Sequence, residues 1–321
     1  MDLLIALVVY ALWKTRYSWL PVGRDPHWAR LELHSWPEDH FTLGHASDRS
    51  NGKHYMLKSY SIDQEQELQN NFEAMGQASG LWPVRSLHYK GQSFLLFEQH
   101  PGTSLHSLIK DLRAHQANVA LDLAFRMMIE VTRKWATMEH TPFWGRGLAP
   151  QMVTFGPVGT YFNCWGWPLS SATLNHIDHH CIAHYLPPEL RTGGTHPASS
   201  ADIFSIGAIF YELLVLAPWH QGQATLSLLE GKVVTPSSVR HGLSTRIDHF
   251  ILKCLSYDPG DRFENYHAFA QFLENLADRE APAWRDVSWD ELVAQFGPQF
   301  WSQWSKPVAT SEEEETFKKA A

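Results

Sequence analysis

Cysteine is scarce in this sequence, which has three cysteines among 321 residues. Because they are scattered along the chain, they predict no disulfide framework, and a reducing compartment is the simpler environment. Basic residues are also in the minority, with 26 Lys and Arg against 34 Asp and Glu and a formal net charge of -8. Nucleic-acid backbones are held by basic faces, so we expect no nucleic-acid partner.

Apolar runs long enough to span a bilayer are lacking as well. The N-terminal run from Leu3 to Trp13 is too short, because a spanning helix needs about 20 residues and would have to continue through Lys14 and Arg16. Asp2 ahead of the run disfavours a secretory signal. Basic residues behind it would keep the body of the protein on the cytoplasmic side. We predict that residues 1–24 form a hydrophobic helix, either a membrane anchor or an interfacial helix, with packing on protein as the alternative.

Aromatic residues, by contrast, are plentiful. They make up 13% of the chain and include 14 tryptophans. A tryptophan content this high indicates contact surfaces as well as core. The length of 321 residues suits two domains, or one domain with two lobes.

Three motifs in the second half of the chain follow one another in the order of a protein kinase's large lobe. Tyr185 to Leu190, YLPPEL, resembles the Ala-Pro-Glu motif that closes a kinase activation segment, with Pro187 for alanine and Glu189 retained. Asp202 to Leu214 resembles the buried central helix that follows. Arg262, in DPGDRF, stands where the family places the arginine that pairs with that glutamate. The chain therefore resembles the protein kinases, with the fold that this implies.

That fold is α+β and bilobal, with a small β-rich lobe and a large helical lobe. Alternating apolar and polar residues predict the small lobe over residues 28–97, with strands in HFTLGHAS, KHYMLKSY and SFLLFE. Helical periodicity predicts the large lobe over residues 98–277, including a long helix from Asn118 to Glu139. Residues 278–321 form a tryptophan-rich C-terminal extension. It closes with an acidic tail, Glu312 to Glu315, which we expect to be a solvated end.

The extension contains apolar side chains that need a surface to pack against. They form one helical face and one cluster of rings: Trp289, Leu292, Val293 and Phe296, then Phe300, Trp301 and Trp304. We favour packing of these side chains on the large lobe. The alternative is that they anchor a partner protein or a membrane surface.

The segment from Phe143 to Phe155, FWGRGLAPQMVTF, has the frame of a kinase catalytic loop without its reactive side chains. Gly147 stands where the family has the proton-accepting aspartate, so no base remains there. Ala149 replaces the lysine that steadies the transferred phosphoryl group, and Met152 replaces a metal-binding asparagine. Cys164 stands at the aspartate of Asp-Phe-Gly, and a neutral thiol is a poor ligand for Mg²⁺. These losses predict that phosphoryl transfer does not occur.

Nucleotide binding has weak support in the sequence. The phosphate-cradling segment, Trp36 to Ser47, contains one glycine, Gly44, and acidic residues that would repel phosphates. Lys58, in YMLK, resembles the family's phosphate-pairing lysine. Glu73 would be its ion-pair partner, with Glu67 as the alternative. We favour the interpretation of Lys58 as a strand lysine that forms only a structural ion pair, so no cofactor is predicted.

Five retained residues are interpreted as structural: Asp202, Glu189, Arg262, Trp165 and Arg146. The resemblance implies that Asp202 accepts backbone N–H bonds from the catalytic loop. It also implies a buried, bidentate pair between Glu189 and Arg262. Trp165 keeps a large ring where the family has a phenylalanine, and Arg146 keeps the arginine of the catalytic loop. Both can serve packing.

A histidine-rich segment precedes Tyr185 and could bind zinc: His176, Asp178, His179, His180, Cys181 and His184. The chain has 19 histidines, so chance clustering is the simpler explanation and no metal site is predicted. No motif places a histidine beside Cys164, so we do not expect a nucleophile there.

The sequence thus predicts a noncatalytic pseudokinase scaffold at the cytoplasmic face of a membrane, with a cytoplasmic protein as the alternative. Partner proteins would bind the large lobe and the tryptophan-rich extension. Two other functions stay open. One is a nucleotide sensor that binds ATP without transferring phosphate. The other is a kinase-fold transferase with altered chemistry, because fold does not fix function.

Overall fold

The computed structural model describes eleven segments of the chain: residues 31–35, 43–50, 52–60, 83–89, 92–98, 102–137, 147–157, 159–162, 185–192, 198–219 and 233–294. They divide into two compact units, with the described residues up to 98 in the first and the others in the second. The predicted helix in residues 1–24 lies outside these segments. Among the described residues, no helix is long and apolar enough to cross a bilayer.

The first unit contains an antiparallel sheet in the order β1-β2-β3-β5-β4. Its strands are β1 (Leu31–Ser35), β2 (Leu43–Asp48), β3 (His54–Tyr60), β4 (Pro83–Tyr89) and β5 (Gln92–Glu98). The three strands predicted from alternation correspond to β2, β3 and β5 and are confirmed. Lys58 is paired with Leu43 on one side and Leu95 on the other, so it lies on the central strand of the sheet.

The turn between β2 and β3 is held by Asp48. Its carboxylate accepts the N–H of Ser50 at 2.7 Å, and its carbonyl accepts the N–H of Gly52 at 2.8 Å. Gly52 has a φ of +70°, a left-handed conformation that favours glycine. The turn between β2 and β3 therefore follows from aspartate and glycine chemistry.

The second unit is mainly helical. Its helices are α1 (Leu105–Ala114), α2 (Leu121–Ala136), α3 (Pro188–Thr192), α4 (Ala198–Val215), α5 (Pro236–Val239), α6 (Thr245–Cys254), α7 (Tyr266–Glu280) and α8 (Trp289–Ala294). Single 3-10 turns lie at Pro150–Met152, Pro259–Asp261 and Pro282–Arg285. A three-stranded antiparallel sheet completes it: β6 (Thr103–Ser104), β7 (Val153–Gly156) and β8 (Gly159–Phe162).

Helix α4 is the centre of the second unit and is buried along almost its whole length. Phe210 packs edge-on against Phe125 of α2, with ring centroids 5.1 Å apart. Gly207 allows α6 to approach closely, because a Cβ at this position would lie 2.3 Å from the Cβ of Cys254. The apolar run that predicted a buried central helix is thus packed on several sides.

The C-terminal end of the second unit differs in detail from the predicted boundary. Helix α7 continues past Ala277 to Glu280, and the first part of the extension packs on the same unit. Trp284 and Leu292 are buried. Packing on the large lobe, which the sequence favoured for the extension, is therefore observed as far as residue 294. The second aromatic cluster lies outside the described residues.

Candidate functional site

Gly147 is the first described residue of the degenerate loop. Its N–H donates to the buried Asp202 Oδ1 at 3.0 Å, the bond that the resemblance implied. Its φ is +83°, in the left-handed region that favours glycine. A Cβ added here would lie 3.1 Å from Ser205 Oγ and 3.2 Å from Leu186 Cδ2. Position 147 is therefore adapted to glycine in both conformation and packing.

The remainder of the loop contributes packing and no reactive group. Ala149 and Met152 are buried, and the carbonyl of Ala149 accepts the N–H of Met152 at 2.9 Å in the 3-10 turn. Residues 147–157 contain no ionisable side chain. Within the described residues, no group of three or more His, Cys, Asp or Glu could hold a metal ion. Residues 147–157 therefore supply no carboxylate or imidazole that could act as a base or as a Mg²⁺ ligand.

A chain of hydrogen bonds leads from beneath Gly147 to helix α1. Ser205, whose hydroxyl packs against Gly147, donates to the carbonyl of Tyr185 at 2.7 Å. The Tyr185 hydroxyl donates to the carboxylate of Glu212 on α4. Arg113 of α1 donates to that carboxylate at 2.8 Å and to a carbonyl at the end of α4 at 2.7 Å. The loop, Tyr185 and α1 are thus all fastened to helix α4.

Arg262 and Glu189 form the second brace. The guanidinium donates to both carboxylate oxygens, at 2.7 and 3.0 Å, and the two side chains are 0% and 4% exposed. Arg262 also donates to the carbonyls of Ser200 and Ser256, each at 2.9 Å. Its Cζ lies 5.0 Å from the centroid of the Phe204 ring. Because these acceptors replace water around the buried guanidinium, its desolvation is compensated.

Burial in the core of the second unit keeps two titratable side chains, Tyr266 and Cys254, in their neutral forms. Burial, followed by the nearby charge of Asp202, raises the pKa of Tyr266, whose hydroxyl donates to the carbonyl of Thr132 at 2.7 Å. Burial likewise raises the pKa of the Cys254 thiol well above its usual range. A thiol held protonated is a poor nucleophile, so Cys254 acts as a small apolar residue.

The extension contacts the sheet strand that directly follows the loop. Trp289 of α8 donates from Nε1 to the carbonyls of Gly156 and Pro157, at 3.1 and 3.2 Å. Its ring centroid lies 6.3 Å from that of Phe155, a buried residue of β7. The fully buried Leu292 holds α8 to the same unit. The β7–β8 hairpin is therefore fixed from outside by the extension.

We expect Trp289→Phe to lower the free energy of unfolding by about 1 kcal/mol, because the ring is kept while its hydrogen bonds are lost. The loss should be local. Hydrogen exchange of residues 153–162 should accelerate more than exchange in α4, as measured by mass spectrometry. Val239→Ala, at an exposed position in α5, is the control and should leave both regions unchanged. Equal acceleration in α4 would contradict a local fastening role for Trp289.

The structure brings together only some of the residues singled out by sequence. Gly147 meets Asp202, and Glu189 meets Arg262, as predicted. Lys58 has a described backbone, but its side chain is outside the described set. Several other candidate residues lie wholly outside the described segments: Glu73, Glu67, Arg146, Cys164, Trp165 and the segment 176–184.

Ser205, Glu212 and their partners are structural residues that the sequence reading missed. A signal for them was present, because polar residues are unusual in the apolar helix α4. Asp202, Ser205 and Glu212 are separated by three and seven positions, which places them on one helical face. Their joint position pointed to a buried polar seam facing the loop. Arg113, 99 residues from Glu212 in sequence, had no comparable signal.

Comparison with solved structures finds the same architecture in the PknI kinase domain of Mycobacterium tuberculosis. The match has a TM-score of 0.57 and covers 78% of this chain and 96% of that domain. Sequence identity is 16%, a level at which the likeness concerns the fold alone.

Sequence relatives include three bacterial proteins. A Clostridium perfringens protein named "Probable serine/threonine-protein kinase" is 21% identical over 57% of this chain and 27% of its own length. Serine/threonine-protein kinase PknB of Mycobacterium tuberculosis is 31% identical over 31% of this chain and 16% of its own length. Tyrosine-protein kinase MasK of Myxococcus xanthus is 33% identical over 29% of this chain and 15% of its own length. The chain thus spans well under half the length of these relatives. No protein-family model matches the chain.

Proposed function

This chain has a protein kinase-like fold, and on that premise we propose that it is a pseudokinase, a noncatalytic scaffold that binds partner proteins. The observation that carries the proposal is the environment of Gly147. Its backbone is left-handed, and a Cβ added there would lie 3.1 Å from Ser205 Oγ and 3.2 Å from Leu186 Cδ2, so an aspartate at this position would be strained. This strain supports the proposal that the loop works without a base at this position.

The buried braces of the second unit support a scaffold over a decayed enzyme. Asp202 still holds the loop backbone, and Arg262 still binds Glu189 in a buried, bidentate pair. Breaking such buried polar contacts is costly, so they keep a unique packing even where no chemistry depends on it. A maintained surface, rather than a reaction, is the simplest role for this arrangement.

The kinase names of the relatives do not decide the activity of this chain. Those proteins share 21% to 33% identity with it over limited segments, and catalysis depends on particular side chains that the fold does not guarantee. The proposed partners are proteins that bind the large helical unit and the aromatic residues of the extension beyond residue 294. The proposed location is the cytoplasmic face of a membrane, reached through Leu3 to Trp13.

A nucleotide sensor is the second candidate, and the position of Lys58 on the central strand of the sheet favours it. A lysine there could bind nucleotide phosphates even without a catalytic base. The sensor and the scaffold make different predictions for nucleotide binding.

We expect millimolar ATP with Mg²⁺ or Mn²⁺ to leave the thermal melting temperature of the full chain unchanged. A ligand that binds only the native state must raise it in proportion to occupancy. A rise that disappears in Lys58→Ala would favour the sensor over the scaffold. Lys53→Ala is the matched control, because Lys53 lies just before the same strand and pairs with Glu98 at 2.7 Å. A rise lost equally in both variants would reflect damage to the sheet.

A further inference from the structure

Helices α6 and α7 form an exposed surface in which an aromatic ring is surrounded by cationic side chains. We call it the α6–α7 surface. It consists of six solvent-exposed residues: Arg246, His249 and Lys253 on α6, and Phe272, Asn275 and Arg279 on α7. Spacings of three and four residues place each set of three along one side of its helix. Arg246 bonds Glu280 at 3.1 Å across the two helices, so the two rows run side by side.

Phe272 gives this surface a fixed apolar centre. Its side chain is 46% exposed, yet its ring is stacked on Phe250 at 5.8 Å and 10°. Its ring centroid also lies 5.3 Å from that of Phe263. The ammonium of Lys253 lies over the Phe263 ring, 4.7 Å from the centroid. An exposed ring supported by buried rings loses little side-chain entropy on binding a further apolar group, which makes it a suitable anchor.

The charge of the surface is positive in a chain whose formal net charge is -8. Among the described residues, Glu280 is the carboxylate paired with this surface, through Arg246. Neither Lys253 nor Arg279 has an ion-pair partner within the described segments. A ligand that complements both features would combine several carboxylates with an aromatic ring.

We propose that the α6–α7 surface binds the acidic segment Glu312 to Phe317 of the same chain. This segment consists of four consecutive glutamates followed by Thr316 and Phe317. Its carboxylates would meet Arg246, Lys253 and Arg279, and Phe317 would lie on Phe272. The inference does not depend on the proposed lack of catalysis, because it concerns another part of the second unit.

The connecting chain is long enough for this contact. Roughly 18 residues separate Ala294 from Glu312, and at about 3.3 Å per residue they reach about 60 Å. A unit of roughly 200 residues has a radius of gyration of about 16 Å, so most of its surface is within reach. Tethering gives the segment an effective concentration in the millimolar range, so a weak, salt-sensitive contact is enough to populate the bound state. A bound tail would then compete with any acidic partner for the same surface.

Carbodiimide cross-linking of the full chain, followed by mass spectrometry, tests this contact. Glutamates 312–315 should cross-link to Lys253 about fivefold more often than to Lys110, the ratio that about 1 kcal/mol of docking free energy gives. Lys110, exposed on α1, is the internal reference for random encounter. Phe272→Ser and 0.5 M salt should each bring the ratio close to unity, whereas Val239→Ser should not.

Equal cross-linking to Lys253 and Lys110 in the unchanged protein would overturn the proposal. A mixture of ¹⁴N- and ¹⁵N-labelled chains separates the possible occupants. Cross-links within one isotope support the tethered tail, while cross-links between isotopes would show that a second copy fills the surface and would also overturn it.

Discussion

Arg262→Ala is expected to lower the free energy of unfolding by about 3 to 5 kcal/mol, the cost of breaking a buried ion pair by removing one partner. The change takes both guanidinium bonds from the buried carboxylate of Glu189 and leaves the carbonyls of Ser200 and Ser256 without their donor. Domains are commonly stable by only about 5 to 15 kcal/mol, so this loss would bring the protein close to unfolding.

Urea unfolding measures the effect, and two variants keep the result interpretable. Arg262→Lys retains the charge but cannot reproduce a bidentate fork, so an intermediate loss is expected. Arg285→Ala is the matched control. It breaks a pair with Asp278 that is also bidentate but about half exposed, and surface pairs contribute about 1 kcal/mol or less. Similar losses for Arg262→Ala and Arg285→Ala would contradict the bracing role of the buried pair.

Gly147→Asp, which restores the residue type of a catalytic base, is expected to destabilise the protein by about 2 to 5 kcal/mol without creating activity. Three costs combine. An aspartate must adopt the left-handed backbone, displace Ser205 or Leu186 from its Cβ, and bring a second carboxylate close to Asp202. In an active enzyme the same aspartate would be accommodated without these penalties.

Two alanine variants separate the costs at Gly147. Gly242 also has a left-handed φ, +92°, but nothing within 4 Å of an added Cβ. Gly242→Ala therefore measures backbone strain alone, about 1 kcal/mol, and Gly147→Ala should exceed it by the cost of crowding. Chemical denaturation of both variants makes the comparison. Equal losses would mean that the packing around Gly147 leaves room for a side chain.

The fold was predictable from sequence where local pattern and burial agree. Strands β2, β3 and β5 show alternation, and α4 is a long apolar run. Strands β1 and β4 were not identified individually, although each pairs with the strand that follows it in the chain. The pairing of β3 with β5, which joins Tyr55 to Glu98, connects distant parts of the chain and leaves little trace in a single sequence.

The site was predictable where one residue type implies one partner. Glu189 and Arg262 stand 73 positions apart, and a family motif connects them. By contrast, the left-handed φ of Gly147 could not be read from the letter glycine, which is also the commonest sign of a plain turn. The same limit applies to Trp289, whose hydrogen bonds to the β7–β8 hairpin depend on how α8 packs. A motif can therefore predict a pair such as Glu189 and Arg262. Which side chain fits at Gly147, and what Trp289 bonds to, depend on packing in the folded protein.

Phosphotransfer by the purified full chain tests the central proposal most directly. The protein is incubated with γ-labelled ATP, Mg²⁺ or Mn²⁺ and a general protein substrate, and incorporated label is compared with that of Lys58→Ala and Cys164→Ala. We predict no incorporation above these variants, because residues 147–157 contain no ionisable side chain that could act as a base or as a carboxylate ligand. Label that accumulates with time in the unchanged chain, and is lost in either variant, would contradict the pseudokinase assignment.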